Sequence, residues 1–192
     1  MSALTELAFG VVLGFTLTIP PGPMNALIAA RSAGSFRHGF LTGLGAMTAD
    51  LILGVAVYTL QSFVDLSSVV RYVYVLGCGV MVVLGYRLFT RKPYGSDLAP
   101  GGLATYSTAL AVGVSNPFQI LWWLTAGLAF AYLGGIVLFL GLFGAIAIWI
   151  VAFPYATRAG VRRFPGLERV ILWVSGAVMV GFAIYFALLA VA

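Results

Sequence analysis

The chain has 192 residues, of which 62% are hydrophobic and 8% are charged, whereas a soluble domain carries about 25% charged residues. This composition excludes a soluble globular fold. The ten Lys and Arg behind the net charge of +5 are dispersed between apolar segments and form no single basic face, which argues against nucleic acid as a partner. We therefore predict an all-α integral membrane protein whose surroundings are the lipid bilayer.

Six apolar segments are long enough to be membrane spans, since about 20 mostly apolar residues cross roughly 30 Å of hydrocarbon. They lie at about 4–31, 39–61, 68–90, 105–131, 135–157 and 168–190. Because they fill nearly the whole chain, we predict one transmembrane domain, 1–192. The first segment has no basic region before it and is predicted to be a retained span. Glycine pairs such as Gly10 and Gly14 supply small faces for close helix packing.

The first span is interrupted by Pro20, Pro21, Gly22 and Pro23. Each proline lacks an amide donor and fixes φ, so this run ends a helix. Broken backbone is tolerated at membrane depth only inside protein or beside a watery cavity. We expect a second half-helix to begin at Pro23, with Asn25 in its first turn and its positive end pointing inward. A simple proline kink without function is the alternative.

The second span carries Asp50, the one acidic residue well inside a predicted span. An acid at the centre of a membrane helix is costly and usually faces an interior cavity. The predicted spans offer no interior Lys or Arg to pair with it. Asp50 is therefore either protonated at rest or visited by a cation or ammonium group. A neutral acid that is hydrogen-bonded for packing is the alternative.

The basic residues indicate an orientation. Nine of the ten Lys and Arg fall in the first, third and fifth predicted loops, and Arg71 alone lies on the other side. The positive-inside rule then puts both termini outside the cytoplasm. The turn-rich stretch 92–104 becomes a cytoplasmic linker between the three-helix halves 1–91 and 105–192. The two halves have opposite orientations, which predicts an inverted repeat.

The fourth span is interrupted at Ser115, Asn116 and Pro117. An N-cap residue followed by proline at the first helical position is a preferred helix start. We expect a half-helix to begin there, at about the depth of Asp50, so that two positive helix ends converge. Such a geometry suits a carboxylate or other anionic group. A kink without function is again the alternative.

Other side chains near that depth are polar or aromatic and are interpreted individually as packing or interfacial residues. They are Thr18, Thr48, Gln119, Trp122, Trp123 and Trp149. The chain has a single Cys and a single His, which excludes an intramolecular disulfide and a transition-metal cluster of the usual kind. We predict no metal site and no cofactor. Without an intramembrane His or a second Asp for a dyad, we do not predict an enzyme.

The segment PPGPMNALIAARSAGSFRHGFLTGLGAMTADLILG resembles the opening of the LysE/RhtB family of bacterial amino-acid exporters, the LysE-type translocators. The pattern is a first helix ending in a PGP-type break, a basic loop and a glycine-rich second helix with an aspartate. The later SNPFQILWW resembles the NP segment in the second half of that family. The likeness covers about residues 10–55 and 112–125, and elsewhere it rests on hydropathy.

The resemblance implies a secondary exporter of amino acids or closely related small metabolites in the bacterial inner membrane, coupled to the proton or another ion gradient. It allows a homodimer. The motif positions that it assigns to substrate binding are Pro21, Gly22, Pro23, Asn25, Asp50, Asn116 and Pro117. Asp50 also takes the coupling role. Met24 stands where the family often has a polar residue, which leaves the substrate open.

Two other functions remain open. An inorganic-ion or metal-cation transporter on a related six-helix plan would be expected to carry several acidic or His residues in its spans, and Asp50 is the one such acid here. A membrane scaffold without transport would not need two helix breaks and an acid at one depth. Among amino acids, a neutral substrate is favoured slightly, because a cationic side chain would need a second acceptor.

Overall fold

The computed structural model describes residues 2–20, 22–60, 67–90, 102–124, 135–164 and 166–191. In these ranges every regular element is helical, which confirms the all-α prediction. The helices are α1 (Ala3–Thr18), α2 (Pro23–Gly34), α3 (Phe36–Leu60), α4 (Ser67–Phe89), α5 (Gly102–Val114), α6 (Pro117–Trp122), α7 (Ile136–Arg163) and α8 (Leu167–Val191).

Three described helices are long and apolar enough to cross a membrane alone: Phe36–Thr59 of α3, Ile136–Arg163 and Leu167–Leu188 of α8. Helices α1 and α2 qualify together as a fourth span, bent by 76° at their break. Large apolar side chains such as Leu51 and Ile148 point outward, as lipid-facing residues do. The chain is therefore a multi-pass membrane protein, and the count of six spans stays a prediction.

Both predicted helix breaks are present. Helix α1 ends at Thr18, and α2 begins with Pro23 at its first position after the extended residue Gly22. Helix α5 ends at Val114, and α6 begins with Pro117 after its N-cap, Asn116. The rest of the predicted fourth span, 125–131, lies outside the described residues, as does most of the predicted linker, since α5 already begins at Gly102.

The three most extensive helix pairs among the described elements are α1 with α7, α4 with α8, and α3 with α5. Helix α2 lies centrally and contacts α3, α7 and α8. Helices α1 and α7 approach each other closely because each presents a glycine to the other. A Cβ at Gly10 would overlap the backbone oxygen of Leu138, and a Cβ at Gly141 would overlap that of Leu7. Small residues thus bring the two backbones into contact.

Several helices extend beyond the predicted spans. Only Ser35 separates α2 from α3, so the predicted first loop is mostly helical. Helix α7 runs six residues past the predicted end of its span, to Arg163. Basic side chains favour the ends of helices near unpaired carbonyl groups. Arg158 provides a direct case, because its Nη1 donates to the Ala33 oxygen at 2.6 Å, at the end of α2.

Candidate functional site

The Asn25 side chain closes the first break. Its Nδ2 donates to the backbone oxygens of Thr18 and Pro20, the second at 3.0 Å. The last carbonyl groups of a helix have no partner within the helix, so this amide satisfies the end of α1 from the first turn of α2. Its Oδ1 accepts from Trp149 Nε1 on α7 at 3.1 Å. One side chain therefore joins both halves of the broken span to α7.

The second break is held by side chains that reach α3. Asn116 Oδ1 accepts from the Phe118 amide at 3.2 Å, which is the predicted N-cap geometry with Pro117 at the first helical position. Asn116 Nδ2 donates to Gln119 Oε1 at 3.4 Å. Gln119 Nε2 in turn donates to the Ala46 oxygen at 3.4 Å. The start of α6 is thus fixed against α3, one turn before Asp50.

Asp50 is only 4% exposed, and its Oδ1 accepts from Trp123 Nε1 at 2.9 Å. Trp123 is 2% exposed and follows directly on α6. Its ring lies against Gly54, where a Cβ would come within 2.8 Å of two ring carbons. Because Gly54 has no side chain, the Trp123 ring can lie close enough to α3 to reach the Asp50 carboxyl group.

The two breaks and Asp50 meet at one cavity of about 50 Å³. Of the sequence-predicted site residues, those that line it are Gly22, Pro23, Asn25, Asp50 and Asn116. Pro117 is buried but does not line it, and Pro21 lies outside the described residues. The cavity has room for about one or a few waters, so a larger ligand requires it to widen.

The cavity lies between two apolar clusters. Leu17 and Ile146 belong to a cluster built mainly by α1, α3 and α7. Met24 and Phe118 pack against a second cluster, built mainly by α2, α4 and α8. Among the described residues that line the cavity, Asp50 is the one ionisable side chain. Its charge state therefore dominates the electrostatics of the site.

Sequence reasoning missed the roles of two tryptophans. Trp123 and Trp149 were interpreted as packing or interfacial residues, and they donate to Asp50 and Asn25. A usable signal existed in part, because a buried indole N–H generally finds an acceptor, and Asp50 and Asn25 are among the acceptors that the predicted spans carry. Gln119 also lines the cavity. That these residues and the motif positions bind a substrate stays a prediction.

A sequence model described as "LysE type translocator" matches residues 15–190 of the chain. A protein of Bacillus subtilis (strain 168) named "Putative amino acid efflux protein YcgF" is 32% identical over 121 residues, which cover 59% of this chain and 58% of that relative. The chain is thus matched to little more than half the length of this relative. No solved structure matches the chain significantly.

Proposed function

The chain belongs to the LysE type translocator family, and on that premise we propose that it exports amino acids or closely related small metabolites across the bacterial inner membrane by secondary active transport. One observation carries the proposal: the cavity where Asp50, the one buried acid among the described residues, meets both helix breaks. The 32% identical relative is named as an amino acid efflux protein, which supports the substrate class.

The proposal assigns the two charges of an amino acid to two parts of the cavity. The ammonium group binds at the Asp50 carboxylate. The carboxylate binds at the start of α2, whose N-cap, Gly22, has no side chain that could occupy the first amide groups of the helix. Amide groups and the helix dipole at such a start attract anions. Helix α6 is a weaker candidate for that role, because Asn116 already caps it.

Coupling follows if Asp50 exchanges a proton for the substrate ammonium. A carboxylate has two acceptor oxygens. Trp123 occupies Oδ1, and we assign Oδ2 to the proton and the ammonium group in turn. The two positive partners compete for one negative charge, so uptake of one favours release of the other. Exchange of substrate for protons across the membrane requires, in addition, that the cavity changes sides only while one of the two partners is bound.

For the topology we propose six spans in two inverted three-helix repeats, with both termini outside the cytoplasm. The pattern of helix contacts supports the repeat. In the proposed repeat the first span (α1 and α2) corresponds to the fourth (α5 and α6), the second (α3) to the fifth (α7), and the third (α4) to the sixth (α8). Replacing each helix by its counterpart turns the contact pair α1–α7 into the pair α5–α3. The same exchange leaves the pairs α4–α8 and α3–α7 unchanged, as a pseudo-two-fold axis requires.

An inorganic- or metal-cation transporter remains the second candidate, with Asp50 as the cation ligand. Within the described ranges, no three or more His, Cys, Asp or Glu side chains are grouped so as to hold a metal ion.

The test is efflux from bacterial cells preloaded with dipeptides to raise internal amino acids, with protein levels matched by immunoblotting. We expect efflux from the native chain and from the control Glu6→Gln, which neutralises an acid in the first turn of α1. Asp50→Asn should lower efflux at least about tenfold, equivalent to about 1.4 kcal/mol. Undiminished proton-coupled efflux from Asp50→Asn would refute the coupling role, and gradient-dependent uptake or release of metal cations alone would favour the second candidate.

A further inference from the structure

A second and larger cavity lies beside the first. It has a volume of about 400 Å³ and is formed by α2, α7 and α8 together with Ile19. This volume falls within the range of small-molecule sites, roughly 300–1,000 Å³. The first cavity, at about 50 Å³, does not. Of the two cavities, the larger one, which borders the first break, has room for a sizeable part of a ligand.

The two cavities share a wall. Gly22, Asn25 and Trp149 line both of them. The hydrogen bond from Trp149 to Asn25 spans this wall. Beyond it, the Trp149 ring stacks on Phe153, with ring centroids 5.0 Å apart and planes 10° apart. A ligand held at Asp50 can therefore reach the larger cavity along an aromatic surface once the wall residues yield.

The lining of the larger cavity is apolar apart from the shared wall and Ser175. Val174, Val178 and Ile171 contribute its α8 side. Ser175 is buried, at 3% exposure. None of the described residues that line this space is charged. A charged group placed there would lose its hydration without gaining a partner, which costs far more than burying an apolar group.

We propose that the larger cavity receives the side chain of the transported amino acid, and that the substrates are amino acids with a large neutral apolar side chain, branched or aromatic. The inference rests on the proposed function, because it takes the backbone charges of the substrate to lie at Asp50 and the start of α2. The proposal takes a substrate side chain and not a lipid chain as the occupant, since Gly22, Asn25 and Trp149 line both this space and the cavity at Asp50.

The proposal makes Ala29 a specificity-determining residue. Ala29 is half-buried on α2 and lines the larger cavity. Replacing it by Leu or Phe fills the space in two steps without adding charge. Ala177 on α8 is exposed and does not line the cavity, so Ala177→Phe is the matched control. One methylene group in an apolar pocket changes discrimination about 10–200-fold.

The experiment measures efflux of Leu, Phe, Ala, Ser and Lys from cells preloaded with the corresponding dipeptides. The native chain and Ala177→Phe should export Leu and Phe at least about ten times faster than Ala, Ser or Lys. Ala29→Leu should lose Phe export first, and Ala29→Phe should lose both large substrates by about tenfold or more. Export of Ala by both variants should stay within about twofold of the native rate.

Two outcomes separate this inference from the proposed function. Export of Ser or Lys at rates equal to Leu, with a profile unchanged by Ala29→Phe, would overturn the side-chain cavity and leave amino-acid export standing. A lipid as the occupant would also overturn the side-chain cavity and leave amino-acid export standing. In that case brominated acyl chains would quench more of the tryptophan fluorescence in Trp173→Phe, which lacks the exposed indole, than in the double variant Trp173→Phe with Trp149→Phe, while the substrate profile stays unchanged. Export of no amino acid by the native chain would overturn both proposals.

Discussion

The broken span depends on Asn25, and replacing this residue gives a prediction with a sign and a size. Asn25→Ala removes two donated hydrogen bonds, to Thr18 and Pro20, and one accepted from Trp149. A hydrogen bond contributes about 0.5–1.5 kcal/mol net, and side-chain bonds between membrane helices average about 0.6 kcal/mol. Three bonds give about 2–4 kcal/mol, so we expect the free energy of unfolding to fall by that amount.

Asn25→Asp sharpens the prediction. An ionised carboxylate accepts hydrogen bonds but donates none, so it keeps the bond from Trp149 and loses both bonds to the end of α1. The added negative charge lies between the negative end of α1 and the positive start of α2, whose effects oppose each other, and it puts a second carboxylate in the cavity that Asp50 lines, where like charges repel. We therefore expect Asn25→Asp to lower the free energy of unfolding at least as much as Asn25→Ala, although it is closer in shape to the native side chain.

The assay is equilibrium unfolding in detergent micelles, followed by circular dichroism and by intrinsic fluorescence. Ser115→Ala is the matched control, because the Ser115 hydroxyl bonds back to the last turn of the preceding helix, α5, at the Ala111 and Val112 oxygens, 2.8 and 3.2 Å away. The control should change the free energy of unfolding by less than about 0.5 kcal/mol. A change below about 1 kcal/mol for Asn25→Ala, or greater stability of Asn25→Asp than of Asn25→Ala, would refute the role given to the amide.

Two further substitutions test the packing and the acid. Gly141→Val places a side chain against the backbone of α1 and should destabilise the protein by about 1–3 kcal/mol or more, whereas Gly144→Val, on the same helix with nothing within 4 Å of its Cβ position, should be nearly neutral in thermal unfolding. Trp123→Phe replaces the indole by a smaller aromatic ring that cannot donate to Asp50, so efflux should fall about tenfold, while the exposed Trp173→Phe should be silent. Equal melting within the first pair, or equal efflux within the second, would contradict these assignments.

The local features of the site could be predicted from the sequence because their causes are local. Three prolines in four residues must end a helix, and an Asn followed by Pro starts one, so both breaks were located correctly. Asp50 could be predicted to face an interior cavity because an acid inside a membrane helix is costly when it faces lipid. The ends of the helices were predicted less well, because hydropathy marks the apolar part of a helix and not its last turn. Helix α7, for example, continues to Arg163, past the predicted end of its span at 157.

Contacts between distant segments could not be predicted. Trp123 and Asp50 are 73 positions apart, and Trp149 and Asn25 are 124 apart, so only the folded chain pairs them. The glycines of α1 were expected to lie in a close helix contact, but such patterns are common in membrane helices and do not name the partner. That Gly10 lies against Leu138 of α7 follows from the topology, and so does the larger cavity between α2, α7 and α8.

The reciprocal glycine contacts between α1 and α7 limit how the protein can move. Each backbone occupies the space that a Cβ would need on the other helix. A shear of one helical turn, about 5.4 Å, would bring larger buried side chains, such as Leu13 of α1 and Leu138 of α7, towards the positions where glycine now permits contact. We therefore predict that the two helices move as one rigid body, and that bending of the protein is concentrated where that body joins α2.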